Sequence, residues 1–324
     1  MGHVTVVAGG YRVKPSVVST TPLPSAVSKR VRADFGWVEL PLQDLGIDGF
    51  LARMGQPAGL VVRPGDPIDA AFIDRLPESV KVIASYSVGL DHVDARAARA
   101  RGIVIGNTPD VLTDATADVA MMLIIGSLRG VPRAARMLRE GEWTGWQPSQ
   151  VFGRDLAGKT LGIFGAGRIG TATAERARAF KMKLAYWSGH RRSPGMDALD
   201  AEAIEDWDAF LGRVDVVSLH APSTPQTRGL FGPSTLGKLR AGSVLVNTSR
   251  GDLVDDDAVI AAVETGHLAA VGLDVFAAEP DFDRRYLTLE NAFLLPHMGS
   301  ASEETRLRMG EEVHACLKRV LLTE

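Results

Sequence analysis

Residues 161–170 read LGIFGAGRIG, an apolar run that enters a G-x-G-x-x-G turn at Gly165, Gly167 and Gly170, with a helical pattern over 171–180 directly behind it. A buried strand, a tight glycine turn and a helix in that order form the first half of a βαβ unit. Such a unit commits this stretch to a parallel sheet covered by helices. Glycine lets the backbone come close to a ligand, and the helix start offers free N–H groups and its positive dipole end. The arrangement suits the pyrophosphate of a dinucleotide, held by Gly165, Gly167, Arg168, Ile169 and Gly170.

The next strand bears on which dinucleotide. It is expected over 183–187, and an enzyme preferring NAD usually carries Asp or Glu at its end for the ribose 2′-hydroxyl. Here the position is Ser188, followed by Gly189, His190, Arg191 and Arg192. With no acid in that segment and two guanidinium groups suited to a phosphate, NADP(H) is expected in preference to NAD(H).

Composition narrows the classes. The 324 residues leave room for two domains, and 45% hydrophobic with 23% charged residues is ordinary for a globular protein. A formal net charge of −3 gives no basic footprint for nucleic acid. Cys316 is the single cysteine, so neither a disulfide framework nor a thiolate metal site is expected. The chain shows no apolar stretch of the ~20 residues that a membrane span needs. Its start, Met1-Gly-His-Val, lacks a signal-peptide pattern, so a cytoplasmic enzyme is expected.

Along the chain, residues 1–13 read as an extension, and 15–20 as the first strand of the fold. Short β runs at 60–62, 80–84 and 104–105 alternate with helical stretches at 68–76 and 95–101. A long helix is expected from 113 to about 139, followed by a segment rich in Trp, Pro and Gly over 141–158. Strands then follow at 160–164, 183–187, 214–219, 243–247 and 270–273, with a final helix over 302–322. The pattern predicts an α/β chain of two Rossmann-like or flavodoxin-like lobes, each a doubly wound parallel sheet, with the active site in the cleft between them. The expected division is 1–108 plus 297–324 for a substrate domain and 109–296 for a dinucleotide-binding domain.

Reduction of a ketone needs a hydride donor, a cation to hold and polarise the substrate, and a proton donor. Three residues stand at turn-like strand ends behind the glycine motif: Arg250 after Asn247-Thr-Ser, Glu279 in FAAEP, and His297 after LLP. They are 29 and 18 residues apart. In this order they resemble the D-isomer-specific 2-hydroxyacid dehydrogenases. The likeness runs from Lys14 to the C-terminus and includes SVGLDHVD at 87–94, NTPDVLTDATAD at 107–118, NTSRGDLVD at 247–255, GLDVF at 272–276 and PHMGS at 296–300.

That resemblance implies roles. His297 would protonate the ketone oxygen during reduction, and Glu279 would bind its other ring nitrogen and fix the tautomer. Arg250 would bind the α-carboxylate and keto oxygen, with backbone N–H groups at Val88 and Gly89 completing the carboxylate contacts. Asp274 and Thr116 would lie near the nicotinamide. His220, Ala221, Pro222, Thr227, Thr248, Ser249, Gly299 and Ser300 would join Ser188, Arg191 and Arg192 in the cofactor site. No role is expected for His3, His92, His190, His267 or His314.

Residues 141–148, GEWTGWQP, resemble the glyoxylate/hydroxypyruvate reductase branch, in which the second tryptophan enters the substrate pocket of the partner subunit; Trp146 is the matching position. Packing in a dimer arm without substrate contact is the other reading of Trp146. The expectation is a homodimer that reduces a small 2-keto acid with NADPH, with Arg63 at the pocket mouth. A larger acid such as hydroxyphenylpyruvate or 2-ketogluconate, and a corepressor-type dinucleotide-binding scaffold, are the alternatives.

Overall fold

A computed structural model describes residues 4–7, 10–150, 152–189 and 191–322. Val4–Val7 (β1) and Gly10–Val13 (β2) pair as an antiparallel ribbon separate from the other strands. Residues 1–3 and 8–9 of the expected extension lie outside the described residues, as do His3 and His190.

The first sheet contains Ser16–Ser19 (β3), Gly36–Glu39 (β4), Gly59–Val62 (β5), Val82–Ser85 (β6) and Val104–Gly106 (β7), all parallel, in the order β4-β3-β5-β6-β7. This is the flavodoxin-like order. Val18, Leu60, Val62 and Ile83 pack with Phe50, Phe72 and Ile73 on one face. The final helix, Glu303–Leu321, covers the other, with Leu317 against Gly59 and Cys316 against Gly106.

The second sheet contains Thr160–Phe164 (β8), Lys183–Trp187 (β9), Glu202–Ala203 (β10), Val216–Leu219 (β11), Ser243–Asn247 (β12), Leu268–Leu273 (β13) and Ala292–Leu294 (β14). The order β10-β9-β8-β11-β12-β13-β14 is Rossmann-like, and every pair is parallel. Side chains alternate faces along each strand. Leu161 and Ile163 therefore join the core under Thr113–Arg129, while Phe164, Val217 and Leu219 join the core built on Phe210, Val259 and Ile260. Both faces are buried, which is why these strands read as continuous apolar runs.

The two compact units are Met1–Leu112 with Ala301–Glu324, and Thr113–Ser300. Their boundaries fall four residues beyond those expected from the sequence. His297 thus belongs to the same unit as Arg250 and Glu279. Among the described residues no single helix is long and apolar enough to cross a membrane.

One expected element is broken. The helix predicted over 113–139 is two helices, Thr113–Arg129 and Val131–Arg139, bent by 71° at Gly130. Gly130 has φ 64°, and a Cβ there would lie 2.3 Å from the carbonyl oxygen of Phe152. Both the backbone sign and the missing space require glycine. Gly55 has a similar φ of 67° with nothing within 4 Å of a built Cβ. Gly55→Ala should therefore cost about 1 kcal/mol, the backbone penalty alone. Gly130→Ala should cost several-fold more in urea unfolding, and equal costs would show that the Phe152 contact does not set the bend.

Candidate active site

The glycine turn takes its shape from three different needs. Gly165 has φ 97°, and a Cβ on it would lie 2.6 Å from the nitrogen of Ala221. A Cβ on Gly170 would lie 2.4 Å from the carbonyl oxygen of Gly165, so helix Arg168–Ala179 can pack tightly onto the turn. A Cβ on Gly167 would meet nothing within 4 Å, and no side chain caps the helix there. The start of the helix thus leaves room for an anion at Gly167.

The loops after β11 and β12 adjoin this turn. Ser249 Oγ donates to Ala221 O, and Thr227 Oγ1 donates to Pro222 O at 2.7 Å. Two buried polar atoms here, His220 Nδ1 and Thr248 Oγ1, have no partner among the described residues. Buried orphans of this kind call for a ligand or water. Burial pushes the His220 imidazole down to about 3, and its Nε2 is 2.9 Å from Ser218 Oγ. It is a neutral group near the dinucleotide turn, not a proton carrier. The open turn and the orphaned atoms fit a dinucleotide.

At the end of β9, Ser188 Oγ donates to Arg191 O and closes the loop. Ser188, Arg191, Arg192 and Glu205 line one pocket. The segment 188–192 itself holds no acid; Glu205 comes from the segment after β10, 17 residues from Ser188, and β10 lies beside β9 in the sheet. Arg192 is also engaged, with Nη2 3.3 Å from Asp197 Oδ1, which in turn accepts from the buried Tyr186 hydroxyl at 2.9 Å. Among the described residues, Arg191 has no such ion pair.

Arg250, Glu279 and His297 are built on the ends of β12, β13 and β14. Asn247 shapes the first turn, its Oδ1 accepting from Ser249 N–H at 2.9 Å and its Nδ2 donating to Arg250 O at 2.8 Å. Gly251 follows because a Cβ there would stand 1.9 Å from the carbonyl carbon of Phe276. The Phe276 N–H donates to Glu279 Oε1 at 2.8 Å, and Glu279 Oε2 lies 2.6 Å from His297 Nδ1. Burial raises the Glu279 carboxyl, but hydrogen bonds from His297 and Phe276, with the charges of His297 and Arg250, outweigh it and hold the group below its ordinary range. An ionised Glu279 accepts, so His297 carries its proton on Nδ1 and turns Nε2 outward.

Asp274 supports the same corner. Its Oδ1 accepts from Met298 N–H at 2.7 Å and its Oδ2 from Gly299 N–H at 2.8 Å, while Thr116 Oγ1 donates to Gly299 O at 3.1 Å. Burial raises the Asp274 carboxyl and the two N–H groups oppose the shift. The backbone at His297 has φ 52°, an uncommon conformation for a residue with a side chain. These bonds on the next two residues, leading to Ser300, hold it there.

The remaining predicted residues are placed separately. Trp146 is 79% exposed beyond Val131–Arg139. In the first unit, Val88 and Gly89 occupy the loop after β6, and Arg63 follows β5 with Nε 3.7 Å from Asp66. A network around His92 in that unit, to which the sequence reading gives no role, joins it to Ser85.

The description "D-isomer specific 2-hydroxyacid dehydrogenase, NAD binding domain" matches residues 121–299. A glycerate dehydrogenase of Hyphomicrobium methylovorum is 40% identical over 93% of this chain and 94% of its own length. A glyoxylate reductase of Thermococcus litoralis is 38% identical over 93% and 92%. Among solved structures, the NADPH-dependent glyoxylate/hydroxypyruvate reductase of Sinorhizobium meliloti, in complex with NADP and malonate, is 33% identical, covers 94% of this chain and 93% of that one, and superposes with a TM-score of 0.85. With this match over more than half its length and these near full-length relatives, the chain belongs to the D-isomer specific 2-hydroxyacid dehydrogenase family of oxidoreductases.

Proposed function

We propose that the protein reduces glyoxylate to glycolate or hydroxypyruvate to the D-2-hydroxy acid, with NADPH preferred over NADH. The observation that carries the reading is the 2.6 Å Glu279–His297 pair, which leaves the other imidazole nitrogen clear of Glu279, with the Arg250 guanidinium in electrostatic range of that carboxylate. The dinucleotide, when bound, supplies the hydride. In its doubly protonated form, with Nδ1–H held by Glu279, His297 gives the second proton, on Nε2, to the keto oxygen, and the neutral ring takes it back in the reverse direction. Arg250 binds the α-carboxylate and keto oxygen, and its charge opposes the negative charge growing on that oxygen. Val88 and Gly89 N–H groups bind the carboxylate as well. The names of the relatives, a glycerate dehydrogenase and a glyoxylate reductase, support a small acid, since glycerate and hydroxypyruvate differ only by the hydride and proton.

Arg191 is proposed as the principal ligand of the 2′-phosphate, with Arg192 held ready by Asp197. Val131, Leu138, Trp143 and Trp146 are exposed apolar side chains on one segment, and they support a homodimer through it.

Steady-state rates with NADPH and NADH, each with glyoxylate, hydroxypyruvate, hydroxyphenylpyruvate and 2-ketogluconate, test the reading. A preference for NADPH and one of the small acids is expected. A bulky acid as the best substrate would overturn the substrate class, and dinucleotide binding without turnover would favour the scaffold.

His297→Ala should lose about 10²- to 10⁴-fold in kcat while keeping its affinity for dinucleotide. Arg250→Ala should raise KM and lower kcat together, because the guanidinium acts both on bound substrate and on the developing charge. Near-normal turnover in either variant would remove that residue from the mechanism.

Arg191→Ala should raise KM for NADPH at least about tenfold and leave NADH unchanged. Glu205→Gln should move the preference further toward NADPH by removing a like charge. Equal effects on both dinucleotides would show that the loop does not read the phosphate.

A further inference from the structure

The loop after β6 has its three carbonyl groups held in turn. Ser87 O accepts from Thr108 N–H at 2.9 Å, Val88 O from Asn107 Nδ2 at 2.9 Å, and Gly89 O from Ser87 Oγ at 2.7 Å. In a trans peptide the C=O and the following N–H point in opposite directions. The N–H groups of Val88, Gly89 and Leu90 therefore point away from the donors that hold those carbonyls. Among the described residues these three N–H groups have no hydrogen-bond partner. Successive open N–H groups of this kind suit an anion.

Two more contacts extend the chain behind Ser87. Ser85 Oγ lies 2.7 Å from Ser87 Oγ and 3.1 Å from His92 Nε2, and both serines are buried. Proton counting orders the whole run. A carbonyl oxygen can only accept, so Ser87 gives its one hydroxyl proton to Gly89 O. Ser85 must then give its own proton to Ser87. With both hydroxyl protons used, the contact between Ser85 and His92 holds a hydrogen only if Nε2 of His92 donates it. Both the Nε2–H neutral ring and the imidazolium satisfy this order.

We infer that His92, Ser85 and Ser87 form a one-directional hydrogen-bond chain that fixes the Gly89–Leu90 peptide, and through it the backbone of Gly89, for substrate carboxylate binding, with His92 the positioning residue at its head. The inference rests on the proposed assignment of the carboxylate to Val88 and Gly89. His92 is assigned no contact with a reacting atom. Its effect passes through two hydroxyls to the Gly89 carbonyl, which fixes the Leu90 N–H directly and the Gly89 N–H through the backbone of Gly89.

A carboxylate contact made equally in ground and transition states appears in KM more than in kcat. Ser87→Ala should raise the 2-keto acid KM and the dissociation constant of oxalate about tenfold, with kcat within about twofold. The dissociation constant for the dinucleotide, read by nicotinamide fluorescence, should not move. His92→Leu should shift KM the same way. His92→Gln, which restores an N–H donor, should recover most of the loss. Should Ser87→Ala fail to fold, the two His92 variants carry the test.

Backbone ¹⁵N resonances of Val88 and Gly89 in the wild type, followed during an oxalate titration, separate the two levels of the argument. Shifts in the wild type with unaltered KM in Ser87→Ala and His92→Leu would overturn the chain alone. His92→Gln as impaired as His92→Leu would overturn the donor order. No shift at Val88 or Gly89 would overturn the carboxylate assignment, and the inference with it.

Discussion

Backbone meeting backbone without an intervening side chain is the constraint on which the second unit depends. At Gly165 the turn after β8 lies against Ala221, and at Gly251 the turn after β12 lies against the Phe276–Ala277 peptide. A methyl group at either place would come within 2.6 Å and 1.9 Å of main-chain atoms respectively. The second contact has a direct consequence for chemistry. Arg250 precedes Gly251, and the N–H of Phe276 binds Glu279, so pressing the two turns together brings the guanidinium into electrostatic range of the carboxylate. Parallel strands make this economical in chain length, since every strand of the sheet ends on the same edge and delivers its loop there.

Asp274 and Glu279, five residues apart, show how such an edge differentiates two like groups. Each accepts a backbone N–H, yet burial dominates at Asp274 and raises its carboxyl, while the imidazole and guanidinium overcome burial at Glu279 and lower it. Asp274 places both oxygens on the Met298 and Gly299 amides and acts as a clamp on the backbone. Glu279 keeps one oxygen for the Phe276 amide and turns the other to His297. The clamp and the orienting base act on adjacent residues of one loop. The left-handed backbone at His297 is therefore held from the chain beyond it by Asp274 and through its own ring by Glu279.

The glycine turn, both parallel sheets and the set Arg250, Glu279 and His297 were legible because each leaves a local mark: an apolar run, a glycine triplet, a residue at a strand end. What escaped notice was short or non-local. β4, β10 and β14 have four, two and three residues, too few to show a period. The bend at Gly130 depends on the carbonyl of Phe152, which a helical pattern over 113–139 does not reveal. Glu205 reaches the pocket near Ser188 because β10 lies beside β9, a fact of sheet order and not of spacing. Ser85 and His92 are seven residues apart and look unrelated until the turn over 86–92 brings them together.

The loop after β9 carries Arg191 and Arg192 against Asp197 and Glu205, so formal charge alone gives no attraction for a phosphate. Arrangement must supply it. The Arg192 and Asp197 side chains are 67% and 35% exposed, and a pair so exposed is worth about 0–1 kcal/mol. A 2′-phosphate, carrying about two negative charges, can therefore displace or share that guanidinium at small cost. In its absence the pair, backed by the buried Tyr186 hydroxyl, keeps Arg192 from ranging through solvent, so less side-chain entropy is lost on binding. Asp197 thus assists a cation it partly neutralises, whereas among the described residues Glu205 has no ion pair that turns its charge to the same use. On the proposed reading, the two acids beside this loop act in opposite directions on dinucleotide preference, although a sum of charges counts them alike.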